Sequence, residues 1–543
     1  MRTMLSRRRF LSSLGLSITG SFILPNLSCS NSPERPNILC ITCEDISPYL
    51  RCFGDEVAIS PNLDKLAKEG VRFTNVYSVS GVCAPSRAAL ITGMYPSAIG
   101  ANHMRTSWKN LPDGIPPYEA VPPVSVKCYT EYLRAAGYYC TNNAKTDYQF
   151  QAPITAWDEN SRTAHWRNRP ANMPFFSIFN LGATHESQVW KRANDPMIIS
   201  PEQVKLPPYY PDTPVVRRDV ARVYSNVTVM DRKVGEILDQ LKTDGLLEKT
   251  IIIFYSDHGG PLPRGKRELY DSGLKVPMII RFPRGKSGGR TVDDLISFID
   301  IPATILSLAG VKVPDYMHGR PFGGKQKATP REYIFAARDR MDGQYDIRRA
   351  VRDKRFKYIR NYRPDVSCYQ DIKYRKQMAL MRELLRLRGE GKLNKEQMYW
   401  FRQTKEKEEL YDTLNDPHEL NNLAADPAFQ TELLRFRKIH EQWMKNIDDK
   451  GLMSEKELVW SMWPDGKQPV TNAPVIKIRN GKVEMTCDTP GASIAYQING
   501  RGFSKDHWFL YSRPFETTQN DTVTAVAIRI GYRQSAKVTR LYF

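Results

Sequence analysis

The chain lacks the usual sequence marks of a nucleic-acid-binding protein. We find no zinc-ligand spacing, no basic heptad helix and no RNA-binding aromatic signature. Yet its 543 residues include 79 Lys and Arg against 59 Asp and Glu, which gives a formal net charge of +20. A basic surface of this kind fits a polyanionic partner. We therefore expect a polyanion other than nucleic acid.

A disulfide scaffold is also missing, because the nine cysteines are odd in number and scattered along the chain. Cys40 and Cys43 have the two-residue gap of a redox or zinc pair. However, residues 38–43 have the apolar pattern of a buried strand, in which neighbouring side chains point to opposite faces. We therefore expect both cysteines in the core.

The apolar run near the amino terminus is too short for a membrane-spanning helix. It covers residues 10–24, contains no acidic residue and follows Arg7-Arg8-Arg9. This pattern is typical of a twin-arginine-type export signal, which we place at residues 1–32. Leu27-Ser28-Cys29 leaves a lipid anchor at Cys29 open as an alternative. The sequence thus predicts an exported protein, periplasmic or at the cell surface.

Two long apolar strands end in side chains that bind cations. Residues 36–43 lead into Glu44-Asp45, and residues 250–256 lead into Asp257-His258. In α/β proteins, sites form at the carboxyl ends of strands. The two pairs together predict a cation site, although a helix cap or turn is the alternative for either pair alone.

Residues 81–93 contain a cysteine and an arginine just before a run that favours a helix. Cys83 is expected near the helix amino terminus, where backbone N–H groups favour anions. Arg87 is one step further along and can bind the same anion with its planar guanidinium. The pattern predicts an oxyanion site that contains a sulfur atom, and a buried structural cysteine is the alternative.

The segment Cys83-Ala84-Pro85-Ser86-Arg87 resembles the Cys-x-Pro-Ser-Arg signature of the type I sulfatases, in the alkaline-phosphatase superfamily. The resemblance covers roughly residues 36–450. It implies that a separate maturation enzyme oxidises Cys83 to formylglycine. It also implies that the hydrated aldehyde, bound to a divalent cation, attacks the sulfate sulfur.

The family's metal ligands correspond to Glu44, Asp45, Asp257 and His258, together with residue 83, and the implied ion is Ca²⁺. Two positions depart from the family pattern. Glu44-Asp45 stands where Asp-Asp is more frequent, and Asp257-His258 stands where Asp-Asn is frequent. Ca²⁺ prefers hard oxygen ligands, whereas an imidazole also suits transition metals, so these departures bear on the identity of the ion rather than on its presence.

Sulfate-ester cleavage needs cations for the sulfuryl oxygens and an acid for the leaving oxygen. By the same resemblance, Arg87, Lys145 and Lys266 are candidates for the sulfate, and His185 is the candidate acid. Asp147 stands where many members have a histidine. Either His103 supplies a compensating imidazole or the site works with one group fewer.

Other basic and aromatic residues have the chemistry of sugar recognition, because rings stack on sugar faces and arginines bind carboxylate or sulfate. A surface loop is the alternative. The candidates for substrate binding are His103, Arg105, His165 and Arg167.

Alternating strands and helices predict an α/β fold, a large and mainly parallel sheet flanked by helices, as in alkaline phosphatase. Helices are expected over residues 219–241 and 296–308. We place the catalytic domain at 33–330. A smaller α+β subdomain with an antiparallel sheet follows at 331–462, with a long charged helical region at 372–408. A β-sandwich similar to the carboxy-terminal domain of chitobiase-like enzymes follows at 468–543.

The sequence therefore predicts an exported, metal-dependent sulfatase that acts on a sulfated oligo- or polysaccharide. A phosphonate or phosphate-ester hydrolase of the same superfamily is one alternative, because phosphate and sulfate share tetrahedral geometry. A polyanion-binding surface protein, inert because Cys83 was never converted, is the other.

Overall fold

A nine-stranded sheet forms the centre of the fold in this computed structural model, which describes residues 35–499, 502–503 and 506–542. The strand order is β4-β3-β5-β1-β6-β7-β2-β8, and β9 pairs with β2. Only β7 runs antiparallel to its neighbours among these described strands. The strands are β1 (Asn37–Cys43), β2 (Val71–Tyr77), β3 (Tyr139–Asn143), β4 (Glu159–Asn160), β5 (Phe175–Leu181), β6 (Thr250–Ser256), β7 (Lys275–Arg281), β8 (Arg290–Val292) and β9 (Ile296–Ser297).

Helices cover both faces of this sheet, which confirms the predicted architecture. They are α1 (Pro61–Glu69), α2 (Cys83–Thr92), α3 (Tyr129–Ala135), α4 (Ser187–Lys191), α5 (Pro214–Thr243), α6 (Asp271–Leu274) and α7 (Asp300–Leu308). Side chains of β1 alternate between two cores. Cys40 packs in the core that includes α2, α3 and α7, whereas Cys43 packs in the core that includes α1 and α5. The prediction that both cysteines are core residues is confirmed.

Helix α5 extends the helix predicted over residues 219–241 at both ends. It begins with Pro214 after Thr213, whose hydroxyl accepts a hydrogen bond from the backbone N–H of Val216. The predicted apolar side is buried, with Val227, Met230 and Val234 fully enclosed. In contrast, the predicted helix over 296–308 contains a short strand, β9, before α7 begins.

A four-stranded antiparallel sheet follows, as predicted. Its strands are β10 (Ile334–Arg338), β11 (Arg348–Arg352), β12 (Phe356–Asn361) and β13 (Glu408–Asp412). Its helices are α8 (Ala379–Gly389), α9 (Lys395–Met398), α10 (Gln430–Asn446) and α11 (Glu455–Met462). The helical region predicted over 372–408 contains α8 and α9, but it is not one continuous helix because it is interrupted after α8. Gly391 has a φ of +66° there, which ends the helix.

Two small antiparallel sheets form the predicted carboxy-terminal β-sandwich and share one apolar core. Their strands are β14 (Val475–Arg479), β15 (Lys482–Thr486), β16 (Ser493–Ile498), β17 (Phe509–Leu510), β18 (Phe515–Glu516), β19 (Thr522–Ile528) and β20 (Val538–Leu541). The domain boundaries given above stay a prediction. The predicted signal segment and Cys29 lie outside the described residues.

No helix in the described part of the chain has the length and apolar character needed to cross a membrane.

Candidate active site

The four predicted metal ligands lie together at one edge of the central sheet. β1 and β6 are parallel neighbours, with Cys43 paired to Ser256, so the residues that follow them emerge side by side. The backbone N–H of Asp45 donates to Asp257 Oδ1 over 3.1 Å. One ligand atom each from Asp45, Asp257 and His258 lies within 4.8 Å of the others, and Glu44, Asp45 and His185 form a second such group.

The donor set fits a divalent cation. His258 Nδ1 lies 3.0 Å from the carbonyl oxygen of Gly259, which only accepts, so Nδ1 carries a proton. An imidazole that binds a metal is neutral, which leaves Nε2 as the ligand atom. His258 Nε2 then presents a lone pair to Asp45 Oδ1 at 3.0 Å. Both atoms are buried and neither has a hydrogen-bond partner. A cation between these lone pairs removes their repulsion.

The loop after Asp257-His258 needs glycine at position 259. A Cβ atom there would lie 2.4 Å from the carbonyl oxygen of Ser272. The close approach allows Gly259 N to donate to Gly273 O over 2.9 Å, and Gly260 N to donate to Ser272 O over 2.8 Å. This loop thereby holds Asp257 and His258 against the segment that carries Lys266.

The predicted sulfate-binding cations surround the carboxylates. Lys145 Nζ lies 2.6 Å from Glu44 Oε2, and Lys266 Nζ lies 2.6 Å from Asp45 Oδ2. Burial acts against ionisation of Asp45, but the surrounding positive charge, most of all that of Lys266, outweighs it and holds the pKa of this carboxyl well below its usual value. Asp45 is therefore ionised at neutral pH, as a metal ligand must be.

Arg87 and His185 complete the predicted group. Nε and Nη2 of Arg87 each lie 3.1 Å from Asp257 Oδ2, and Nη1 donates to Asn180 Oδ1 over 2.7 Å. His185 Nε2 lies 3.8 Å from Glu44 Oε2, and the side chain is 17% exposed. His185 thus lies near a carboxylate and is partly open to solvent, as is Lys145.

Cys83 is the first residue of α2, as the sequence predicts for a residue near a helix amino terminus. Burial, with a further effect from the Asp147 carboxylate, raises the pKa of its thiol to about 12. A thiolate nucleophile is therefore poorly populated at neutral pH. The hydroxyl of Ser86 donates to the carbonyl oxygen of Asp257 over 2.6 Å and fixes α2 beside the predicted ligands.

Two buried charges near the site were missed by the sequence analysis. Glu186 accepts from both Nη atoms of Arg267 over 2.9 and 2.7 Å, and its backbone N–H donates to Asp45 Oδ2 over 2.7 Å. Lys266 Nζ lies 3.3 Å from Glu186 Oε1. In the sequence, Glu186 directly follows His185 and Arg267 directly follows Lys266, and this adjacency was the signal that could have identified them.

His103 and Arg105 flank Met104, which packs with Cys83 in one apolar cluster. The His103 ring is enclosed, and burial lowers its pKa to about 4. His103 Nδ1 accepts from the backbone N–H of Arg340 over 3.3 Å. Arg105 is partly exposed, and its Nε lies 3.7 Å from Asp342 Oδ1. Of the two, Arg105 is the one available to a ligand.

His165 and Arg167 are not brought to the carboxylate cluster by the contacts that the structure describes. His165 Nε2 lies 3.1 Å from Gln240 Oε1, and Arg167 Nε donates to Asp244 Oδ2 over 2.8 Å. Both partners lie at the carboxyl end of α5. The structure thus gives these two residues a role in fixing their loop to α5.

Comparison with known proteins identifies the family. The family model described as Sulfatase matches residues 36–311, and the model for the carboxy-terminal part of N-sulphoglucosamine sulphohydrolase matches residues 264–395. An ulvan-active sulfatase from Formosa agariphila is 49% identical over 544 residues, which cover 93% of this chain and 91% of that protein.

Solved structures of low identity share the fold. One structure, in complex with its substrate D-glucosamine-2-N,6-O-disulfate, is 18% identical, has a TM-score of 0.56 and covers 78% of this chain and 100% of its own. The phosphonate monoester hydrolase of Agrobacterium radiobacter is also 18% identical, with a TM-score of 0.55 and coverage of 77% and 97%. Together with the family models, these findings show that the chain belongs to the sulfatase family of the alkaline-phosphatase superfamily and is a sulfuric ester hydrolase.

Proposed function

We propose that this enzyme removes sulfate from an ulvan-type polysaccharide with a formylglycine formed from Cys83. The relative that is 49% identical along nearly the whole chain carries the choice of substrate, because it is described as ulvan-active. The +20 formal charge also fits a polyanionic substrate.

Formylglycine would give residue 83 a hydroxylated side chain in place of a thiol. The raised pKa of the Cys83 thiol supports this proposal, since the unmodified residue holds its proton at neutral pH. A formylglycine-generating enzyme is therefore the expected partner before the chain is active.

Glu44, Asp45, Asp257 and His258 would hold a divalent cation with residue 83. A bound cation neutralises part of the carboxylate charge and polarises a sulfuryl oxygen. We propose Ca²⁺ because three of the four protein ligands are carboxylates, although the imidazole also suits transition metals.

The remaining residues bind the sulfate and protonate the leaving group. Arg87, Lys145 and Lys266 offer a guanidinium and two ammonium groups to the charge that develops on the sulfuryl oxygens. His185 is partly open to solvent and would give a proton to the sugar oxygen. The reaction consumes one water and yields an alcohol and sulfate.

Sulfate release from ulvan, followed by ion chromatography, tests this proposal. The full chain is produced together with a maturation enzyme, and the Cys83→Ala variant serves as the control. We expect release with the wild type alone. Aryl sulfate is compared with aryl phosphate in the same preparation, and faster turnover of the phosphate would favour the phosphate-ester alternative.

Export of the chain through the twin-arginine route remains part of the proposal. Its basis is the sequence of residues 1–32. Fractionation of cells that produce the full chain tests it, and protein confined to the cytoplasm would contradict it.

A further inference from the structure

A cavity of about 350 Å³ lies beside the catalytic cluster, the group formed by the predicted metal ligands and the cations around them. Two loops contribute both to the cluster and to this cavity. Ser47 lines the cavity two positions after Asp45, and Arg264 lines it two positions before Lys266. Among the described lining residues none is a predicted metal ligand. The volume falls in the range of small-molecule sites, about 300–1,000 Å³.

Aromatic rings form part of the cavity wall. Tyr49, Tyr209 and His418 line it, and the rings of Tyr209 and His418 meet edge to face with centroids 5.8 Å apart. All three residues are only partly buried. Partly exposed rings in a concave wall provide apolar faces on which a sugar ring stacks.

A buried cation lies in the same wall. Arg264 is 2% exposed, and its guanidinium lies 4.6 Å from the centre of the Tyr209 ring and 4.1 Å from that of Tyr270. Nη2 donates to the carbonyl oxygen of Glu419 over 2.6 Å, whereas Nε has no hydrogen-bond partner. A buried N–H group without an acceptor favours binding of an acceptor from outside the protein.

A second cation lies at the rim. Lys205 lines the cavity, and its side chain is 80% exposed. Its Nζ lies 2.9 Å from Oε2 of Glu56, which is equally exposed. An exposed pair of this kind is weak, so Lys205 can turn to another anion at little cost.

The two carboxylates in the wall do not cancel these charges. Asp271 and Glu419 line the cavity, but Lys357 Nζ lies 2.5 Å from the first and 2.6 Å from the second. Arg352 Nη2 is also 3.0 Å from Asp271 Oδ2. Their charge is therefore neutralised within the protein, and Arg264 and Lys205 leave the cavity positive.

We propose that this cavity binds an anionic sugar unit and so anchors the polysaccharide beside the catalytic site. The rings would stack on the sugar, and Arg264 and Lys205 would bind its carboxylate or sulfate. The idea rests on the proposed function, because it assigns the cavity to the same polymeric substrate.

Calorimetric titration of the full chain in the Cys83→Ala background measures binding without turnover. The ligands are heparin, desulfated heparin that keeps its carboxylates, and neutral dextran. Tyr209→Ala removes a ring and Lys205→Ala removes the rim charge. Lys312→Ala is the matched control, because Lys312 is equally exposed and pairs with Asp315 elsewhere on the surface.

We expect Tyr209→Ala and Lys205→Ala each to weaken heparin binding by about three- to tenfold, the size of one stacking or charged contact. Lys312→Ala should bind like the parent. If desulfated heparin still binds and Lys205→Ala weakens that binding, the anion that the cavity recognises is a carboxylate. If desulfated heparin does not bind, the anion is a sulfate.

The proposal would be overturned if all variants bound heparin with equal affinity. It would also be overturned if the parent bound dextran as tightly as heparin. If Tyr209→Ala lowers the melting temperature, the comparison of Lys205→Ala with Lys312→Ala decides. In the matured enzyme, aryl sulfate turnover should not change in Lys205→Ala. Absence of sulfate release from ulvan by the wild type would contradict only the proposed function.

Discussion

Lys266 and Asp45 form a buried ion pair, with Nζ 2.6 Å from Oδ2. Burial acts against the lysine charge, but Asp45 and Glu186 together raise the pKa of Lys266 well above its usual value. The ammonium is therefore permanently charged and held at the edge of the predicted metal site. A permanent positive charge is what its proposed role at a sulfuryl oxygen requires.

Replacing this lysine should lower activity by removing a positive charge from the site. We expect Lys266→Met to lower kcat/KM for an aryl sulfate by about 10²- to 10³-fold, the usual cost of losing one charge-stabilising group. Lys275→Met is the control, since Lys275 is partly buried at the start of β7 and outside the cluster. Similar losses in both variants would contradict the assigned role.

Chelation should reduce both activity and thermal stability. Three carboxylates and an imidazole lie together at the site, and a cation that binds only the folded state stabilises it by about 2.7 kcal/mol at 100 times its dissociation constant. We expect EDTA to lower the melting temperature and Ca²⁺ to restore it.

His258→Asn tests the choice of ion. An amide oxygen in place of the imidazole should favour Ca²⁺ over Zn²⁺ in the same melting experiment. A melting temperature that neither EDTA nor added cations change would contradict the metal site.

The two arginines proposed for substrate binding should behave differently. Arg105 flanks Met104 beside Cys83, whereas Arg167 is paired with Asp244 at the end of α5. We expect Arg105→Ala to raise KM for the polysaccharide about three- to tenfold, as loss of one charged contact does. Arg167→Ala should leave both KM and kcat unchanged. A raised KM in Arg167→Ala would support the substrate-binding role predicted for that residue from the sequence and contradict the role that the structure gives it.

Acid should destabilise the fold through His103. Burial lowers its pKa from 6.5 to about 4, so the unfolded chain binds the proton first as the pH falls. The stability from this residue is complete above pH 6.5 and is lost toward pH 4, by about 2 kcal/mol between pH 7 and pH 5. Denaturant unfolding measures this slope.

His103→Asn should reduce this pH dependence, because Asn keeps an acceptor for the Arg340 N–H but does not titrate. Arg105→Gln is the control, since it changes a neighbouring charge with no titration in this range. An unchanged slope in His103→Asn would show that His103 does not titrate as described.

Much of the site follows from sequence because strand periodicity and strand ends are local signals. The apolar runs before Asp45 and Asp257 predict buried strands, and parallel pairing then brings their ends together. The register between β1 and β6 depends on contacts more than 200 residues apart, which no local pattern contains. The sequence predicts that the ligands are near each other, and the structure adds their distances.

Other features depend on tertiary packing that sequence patterns do not encode. Glu186 and Arg267 lie in different loops, and only the fold makes them a buried pair. His165 and Arg167 have the chemistry of sugar binding, yet their partners on α5 come from a distant part of the chain. The break in the helical region after α8 depends on a local feature, Gly391, which the sequence shows but the prediction did not use.

The most direct test measures two quantities on one preparation of the full chain. The mass of the peptide that contains residue 83 gives the fraction converted from thiol to aldehyde, and ion chromatography gives the rate of sulfate release from ulvan. The account predicts that the rate rises in proportion to the converted fraction and vanishes in Cys83→Ala. Sulfate release by the unconverted chain, or none from a fully converted and Ca²⁺-loaded one, would contradict it.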